Sequence, residues 1–262
     1  MTPDEGSAAI DPRIRQRREQ VERTRTQKRL RWLAAVGGVA VLAALGALAL
    51  HTPLFEARVV AVTGAHPYTP TAVIEGAAGL LHRPPLINVD PGPAAARVES
   101  LPYIASARVT RHWPDAVTIA VTERVPVTTM AGPAASWSTL DGYGRTVVVT
   151  PGRPVLPVLI VTTAKGPVPP APVGSTVAPA AATGLLVART LPAAFAGQVI
   201  SITVAPDGTV SLALTSGLVV QLGTDSDLQA KYEDVAAIIA HAPLHGAHTI
   251  DVRVPQSPTV GP

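Results

Sequence analysis

Cysteine is absent from all 262 residues. That one absence excludes disulfides, a cysteine metal cluster and a thiol nucleophile. Aromatic residues are scarce as well, with three Trp, four Tyr and two Phe, and no functional reading rests on them. Neither a G-x-S-x-G elbow, a phosphate-binding loop nor a G-x-G-x-x-G turn occurs. Thr162-Thr163-Ala164-Lys165 has the spacing of the S-x-x-K of penicillin-binding enzymes, but the S-D-N and K-T-G partners of that signature are missing. His241, His245 and His248 cluster at spacings a metal site could use, yet Pro243 and Gly246 break any helix that would align them and no carboxylate interleaves. Asp225/Asp227 and Glu233/Asp234 read as a helix cap with a solvated first face rather than a catalytic pair. These residues predict no enzyme, no metal and no cofactor.

The charge is unevenly spread. Residues 1–32 carry nine Lys/Arg against five Asp/Glu, and residues 51–262 carry twelve against thirteen. The pI near 9.6 therefore belongs to the leader and gives no argument for nucleic acid. Between the two lies Leu33 to Leu50, eighteen residues of Leu, Val, Ala and Gly alone. As a helix rising 1.5 Å per residue it spans about 27 Å, close to the hydrocarbon thickness of a bilayer. Arg18, Arg23, Arg25, Lys28, Arg29 and Arg31 sit just before it, which by the positive-inside rule keeps the leader cytoplasmic and sends residues 51–262 outside. Trp32 stands at the inner boundary, where an indole ring prefers to lie. Ala47-Leu48-Ala49 has the small-residue pattern of a signal-peptidase site. The apolar core exceeds a signal h-region, however, and the leader ahead of it is too long, so the run is read as an uncleaved signal anchor. Ala34 and Gly38 have the spacing of a helix-packing pair, common by chance in so Ala-rich a span. The leader itself, poor in large apolar residues, reads as disordered or loosely helical with a weak attraction to anionic lipid.

Past the apolar run, Ala57 to Thr63 is strand-like and ends at Gly64. Thr69-Pro70 predicts an N-cap with proline at the first helical position of Thr71–Ala78, and Gly79 supplies a stop. Asp90-Pro91 repeats the signal and opens a helix to about Ser100. Two strands follow, about Ile104–His112 and Ala116–Arg124, with Trp113-Pro114-Asp115 between them. Val117, Ile119 and Val121 alternate with Thr118, Ala120 and Thr122, so one face is buried. The order β-α-α-β-β predicts two helices covering one face of a three-stranded sheet, with a core of Val59, Val62, Ile74, Val98, Ile104, Val109, Val117, Ile119 and Val121. His66 belongs to a loop.

The segments "VVAVTGAHPYTPTAVIEGAAGL" and "LPYIASARVTRHWPDAVTIAVTERVPV" resemble the POTRA domain of the FtsQ/DivIB division proteins. The Val-Thr-Gly before the first helix, Leu101–Ala107, and Arg111-x-Trp113-Pro114 running into Glu123-Arg124-x-Pro126 carry the likeness in order, directly after a single signal anchor. Outer-membrane barrel proteins also bear POTRA repeats, but ahead of a long barrel for which there is no room here. Trp113, Pro114 and Gly64 are read structurally, as hairpin and turn residues.

The resemblance continues through Trp137–Thr146 ("WSTLDGYGRT") and Leu156-Pro157-Val158-Leu159 to about residue 256. Residues 165–179 read as an irregular loop. Leu185–Leu191 is predicted as a helix capped by Thr183. Strands follow at about Val199–Val204, Thr209–Thr215 and Leu218–Leu222, with Asp207-Gly208 and Ser216-Gly217 as hairpin turns. Asp227–His241 carries Leu228, Tyr232, Val235, Ile238 and Ile239 at helical spacing. Thr249–Val254 is the predicted final strand, with Ile250, Val252 and Val254 on one face.

The fold class expected is α+β: a cytoplasmic tail (1–32), a transmembrane signal anchor (33–50), a POTRA domain (54–124), a mixed β-rich domain with two helices (125–256) and a short tail (257–262). The resemblance implies a non-enzymatic, single-pass type II membrane scaffold at the division septum. It also implies binding of FtsB/DivIC-like and FtsL-like proteins, and through them control of the septal peptidoglycan synthase. In such proteins the last strand is the edge to which the FtsB-like partner adds its own. Here that maps to Thr249, Ile250, Asp251, Val252, Arg253 and Val254 with Pro255, Gln256 and Ser257. A terminal strand that no later strand covers has free N–H and C=O groups open to β-augmentation. Pro255 and Pro258 limit the pairing, and Arg253 could meet an acidic partner at the rim. Two other readings remain: an ordinary core strand without a partner, and, for the whole chain, a membrane-anchored cell-wall enzyme or substrate-binding module.

Overall fold

The computed structural model describes residues 12–64, 69–241, 244, 246–255 and 257–261. Helix α1 (Pro12–Ala49) runs through the leader and the apolar run without a break, so the described leader is helical rather than disordered. Its stretch Arg31–Ala49 is long and apolar enough to cross a membrane and no part of it is buried against the protein. Trp32, Val39, Leu42 and Leu48 all stand exposed, a surface that only a non-aqueous neighbour would cover without cost.

The first folded unit comprises β1 (Val59–Thr63), α2 (Thr71–Ala78), α3 (Pro91–Glu99), β2 (Ile104–His112) and β3 (Ala116–Glu123). Its sheet has the order β1-β3-β2, with β1 parallel and β2 antiparallel to the central strand. Helices α2 and α3 close one face, where Ile74, Leu86, Val98, Ile104, Val117, Ile119 and Val121 form a common core. The predicted core needs one correction. Val59 is 55% exposed, and it is Val60 and Val62, opposite Val117 and Ile119, that pack inward. Positions 59 and 62 lie an odd number of residues apart and cannot share a face of a regular strand. In β2 an irregularity between Ile104 and Ser106 resets the alternation, which lets Ile104 and Val109 both reach the core.

Helix starts depart from the sequence reading in detail. Asp90 caps α3 as expected, its carboxylate accepting from the Gly92 N–H at 3.3 Å, and Gly79 ends α2 in the left-handed conformation. At α2, however, the cap position falls on Pro70, one residue later than predicted, and Thr69 is buried with its hydroxyl unpartnered. His66 lies outside the described residues. The indole of Trp113 packs edge-on to Phe55, ring centres 6.0 Å apart, so the β2–β3 turn also touches the link from α1.

Strands β4 (Pro126–Ala131), β5 (Trp137–Asp141), β6 (Thr146–Thr150), β7 (Val158–Thr163), β8 (Gly166–Pro167), β9 (Val199–Val204), β10 (Val210–Leu214), β11 (Val219–Gly223), β12 (Thr249–Asp251) and β13 (Thr259–Gly261) form the second unit. They make one sheet ordered β13-β12-β11-β10-β9-β7-β4-β5-β6, with β8 beside β7. Helices α4 (Ala182–Thr190), α5 (Ala193–Ala196) and α6 (Leu228–His241) accompany it. Leu185, Val187, Tyr232 and Val235 from α4 and α6 join Leu159, Ile202, Leu212, Val220 and Ile250 in its core. The turns at Gly208 and Gly217 fall where predicted. Thr183 does not cap α4: the preceding tight turn Pro179–Ala181 runs straight into the helix and moves its start to Ala182, leaving Thr183 inside.

The two units are joined by residues 124–125 and clasped by one guanidinium. Arg124 Nη1 donates to Asp141 Oδ2 at 2.8 Å while its Nε donates to the Ile104 carbonyl at 3.1 Å. Asp141 Oδ1 meanwhile accepts from the backbone N–H groups of Tyr143 and Arg145, both at 2.9 Å. In that turn Gly144 adopts φ +82°, and a side chain there would drive its Cβ to 2.7 Å from Leu185 Cδ1.

Ile119→Ala should cost on the order of 2–5 kcal/mol through the cavity it leaves, whereas Val59→Ala should be nearly neutral, as read by urea unfolding of residues 51–262. Arg124→Ala should cost about 3 kcal/mol, because the Asp141 carboxylate loses its cation while remaining enclosed. Scattering should show the two units reorienting in that variant, and unchanged scattering would count against the clasp.

Candidate partner-binding edge

Strand β12 is positioned by two anchors pointing into the second core. Ile250 and Val252 are both fully buried. β12 pairs in parallel with β11 in the register Val219–Thr249, Val220–Ile250 and Gln221–Asp251, and the Val252 N–H donating to the Gln221 carbonyl at 3.0 Å extends the pairing by one residue. A parallel neighbour requires a crossover, and α6 supplies it.

The strand then stops earlier than predicted. Thr249, Ile250 and Asp251 are in the strand and Val252 continues it, but Arg253 and Val254 bend away and Val254 is 56% exposed rather than inward. The cause is local. The Asp251 carboxylate captures the Arg253 backbone N–H at 3.0 Å, two residues on, and so offers the chain a turn in place of a ladder. The same carboxylate grips the Arg253 guanidinium, Nη2 to Oδ2 at 2.6 Å and Nε to both oxygens at about 3 Å. Gly223 takes φ +69° at the end of β11, and a Cβ there would come to 2.9 Å from Arg253 Cγ, so the arginine stem lies across a glycine. Pro255 and Ser257 follow in a turn closed by the Ser257 N–H donating to the Val254 carbonyl at 3.0 Å; Gln256 lies outside the described residues.

A second correction concerns the edge itself. β12 is not the outermost strand, because Thr259, Val260 and Gly261 fold back antiparallel as β13, opposite Asp251, Ile250 and Thr249 respectively. Thr259–Gly261, within the segment 257–262 read as a plain tail, thus form the strand the sequence reading missed. The available signal was Pro255 and Pro258 bracketing a short turn ahead of a β-branched Thr-Val pair.

The His241 ring bonds the Ala237 carbonyl of its own helix at 3.0 Å, His245 lies outside the described residues, and among the described residues no three His, Cys, Asp or Glu side chains are grouped to hold a metal. The start of α6 holds an unforeseen buried lysine: Lys231 donates to the Thr224 carbonyl at 2.8 Å, and burial pushes its amine below the ordinary lysine value against the opposing pull of Asp227 and Asp225. A cleft of about 800 Å³ lies between the two sheets; its charged side chains are Glu123 and Arg124, and the guanidinium is already committed to Asp141 and Ile104.

The side-chain hydrogen bond from Arg253 holds the Asp251 carboxyl below the usual carboxylate range. A lowered carboxylate pKa contributes stability that is complete above the unfolded value near 3.9 and is lost as pH falls through the folded value. Arg253→Ala should raise the Asp251 midpoint toward the ordinary value in an NMR titration. Because the guanidinium is largely exposed, the stability change at pH 7 should stay within about 1 kcal/mol.

Residues 55–124 match the family model for the POTRA domain, FtsQ-type, and residues 134–253 match that for the C-terminal region of the cell division protein FtsQ/DivIB. Among curated relatives, the cell division protein FtsQ of Mycobacteroides abscessus is 30% identical over 98% of this chain and 89% of its own length. That of Mycolicibacterium smegmatis is 34% identical over 89% of this chain and 65% of its own. That of Streptomyces collinus is 31% identical over 88% of each. With both folded units matched in order behind an apolar helix, the chain belongs to the FtsQ/DivIB family of cell division proteins.

Proposed function

We propose that this protein is a non-enzymatic, single-pass scaffold of the division machinery, its leader (1–32) in the cytoplasm, its apolar helix (33–50) in the membrane, and its POTRA-type (54–124) and β-rich (125–256) domains outside. The observation that supports the reading is the pairing of one unburied apolar helix with two folded units, each built around its own hydrophobic core. The basic leader supports the orientation. Family membership supports a place at the septum and partners of the FtsB/DivIC and FtsL kind, through which septal peptidoglycan synthesis is regulated. The residues proposed to meet a strand-forming partner are Thr249 to Val254 with Pro255, Gln256 and Ser257, of which Thr249–Asp251 form the pairing strand and Val252 extends it by one residue. A scaffold of this type needs no cofactor: its ligands are extended protein segments, recognised by main-chain hydrogen bonds.

A reporter active only outside the cytoplasm, fused after Pro262, should be active in cells, with the product at full length in the membrane fraction. A free, shortened product would instead revive cleavage after Ala49. Full-length protein should capture a purified FtsB/DivIC-like protein from the same organism in a pull-down. Loss of catalysis in any cell-wall assay on changing a single cleft residue, such as Glu123→Gln, would favour the enzyme reading over the scaffold.

A further inference from the structure

We infer that β13 is a built-in occupant of the partner's place: it pairs with the outer edge of β12 in the unbound protein and must leave for a partner strand to enter. The inference rests on the proposed strand-forming partner and concerns how access to it is controlled. It begins from an asymmetry across β12. On the inner side, β12 is held by β11 and by two fully buried anchors, Ile250 and Val252. On the outer side it is held by three residues, Thr259, Val260 and Gly261. None of the three enters the core: Thr259 and Val260 are exposed and Gly261 is half-buried. Removing β13 therefore uncovers the β12 backbone without opening a cavity, while removing β12 would dismantle the core.

The connection is built for return. Asp251 turns the chain at Arg253, and the Ser257 N–H closes a second turn on the Val254 carbonyl. Pro258 lacks an N–H and starts the strand immediately afterwards. A segment tethered this closely is present at high effective concentration and recloses whenever the partner departs. It also shields a three-residue edge whose free N–H and C=O groups would otherwise invite any extended chain. The apparent affinity for a partner strand is then reduced by the fraction of molecules in which the edge is open.

The absence of native cysteine makes the test specific. Thr249 and Gly261 face each other across the two strands, and a Cβ placed on Gly261 meets no atom within 4 Å. A Thr249→Cys/Gly261→Cys variant of the full chain in detergent should form a disulfide under oxidation and pin β13 in place. Binding of the purified extracytoplasmic part of the organism's FtsB/DivIC-like protein should fall at least about tenfold in the oxidised form and recover on reduction, whereas removing residues 258–262 should tighten it by about tenfold. In hydrogen exchange of the partner-free protein, the Val260 and Gly261 amides should exchange at least about a hundredfold faster than those of Val220 and Leu222. Equal protection of all four amides would overturn the inference whatever the partner does. Normal binding by the oxidised form would show that the partner docks elsewhere or adds to β13, and would overturn it too. Absence of binding by every form, with β13 still exchanging fast, would instead remove the proposed partner on which the inference rests.

Discussion

The arrangement of the two folded units hangs on the charge pair between Arg124 and Asp141. Arg124 leaves the end of β3 and reaches forward to the second sheet while its Nε still bonds the Ile104 carbonyl of the first. Asp141 is 3% exposed, and its carboxylate takes two backbone N–H groups besides the guanidinium. Both oxygens of the Asp141 carboxylate are therefore engaged, the condition under which a buried ion pair specifies geometry instead of merely costing desolvation. Only residues 124 and 125 separate β3 from β4, so a pair placed here fixes an angle that a longer linker would leave free.

From this junction the second sheet propagates outward in one direction. β4 and β5 stand beside the clasp, β7 and β9 carry the order on by parallel pairing, and the β9–β10–β11 meander delivers it to β12. Helices α4 and α6 lie against this run and their contacts with each other are partly polar, with the Tyr232 hydroxyl 3.1 Å from Thr190 Oγ1. Burial raises the Tyr232 pKa, with the Thr190 hydrogen bond opposing it. The anchors of the candidate edge, Ile250 and Val252, belong to the same core as Leu159 and Ile202 in the middle of the sheet.

What the sequence reveals and what it conceals divide along a physical line. Elements fixed by local chemistry are legible: Ile104–His112 and the Asp90 cap of α3 appear where the residues place them, as do the glycine turns after Asp207 and Ser216. Elements fixed by competition are not. Thr249–Val254 has a clean strand alternation, yet a carboxylate at 251 and an N–H at 253 settle the matter in favour of a turn. Val59 has every mark of a core residue and is turned out because its register with β3 puts Val60 opposite Val117. β13 is three residues long, below the length at which periodicity carries information, and it exists because β12 offers it a template. Lys231 is hidden for a similar reason, since only the folded loop supplies the Thr224 carbonyl that makes its burial tolerable.

The strand order makes the second unit a lever. From β5, which carries Asp141, to β12 the path crosses six inter-strand steps, a span of roughly 29 Å at about 4.8 Å per step. A rotation of about 10° at the junction therefore carries the β12 edge through roughly 5 Å, about one strand's width. The angle set by Arg124 and Asp141 thus matters more for the position of the β12 edge than for the strands beside the junction.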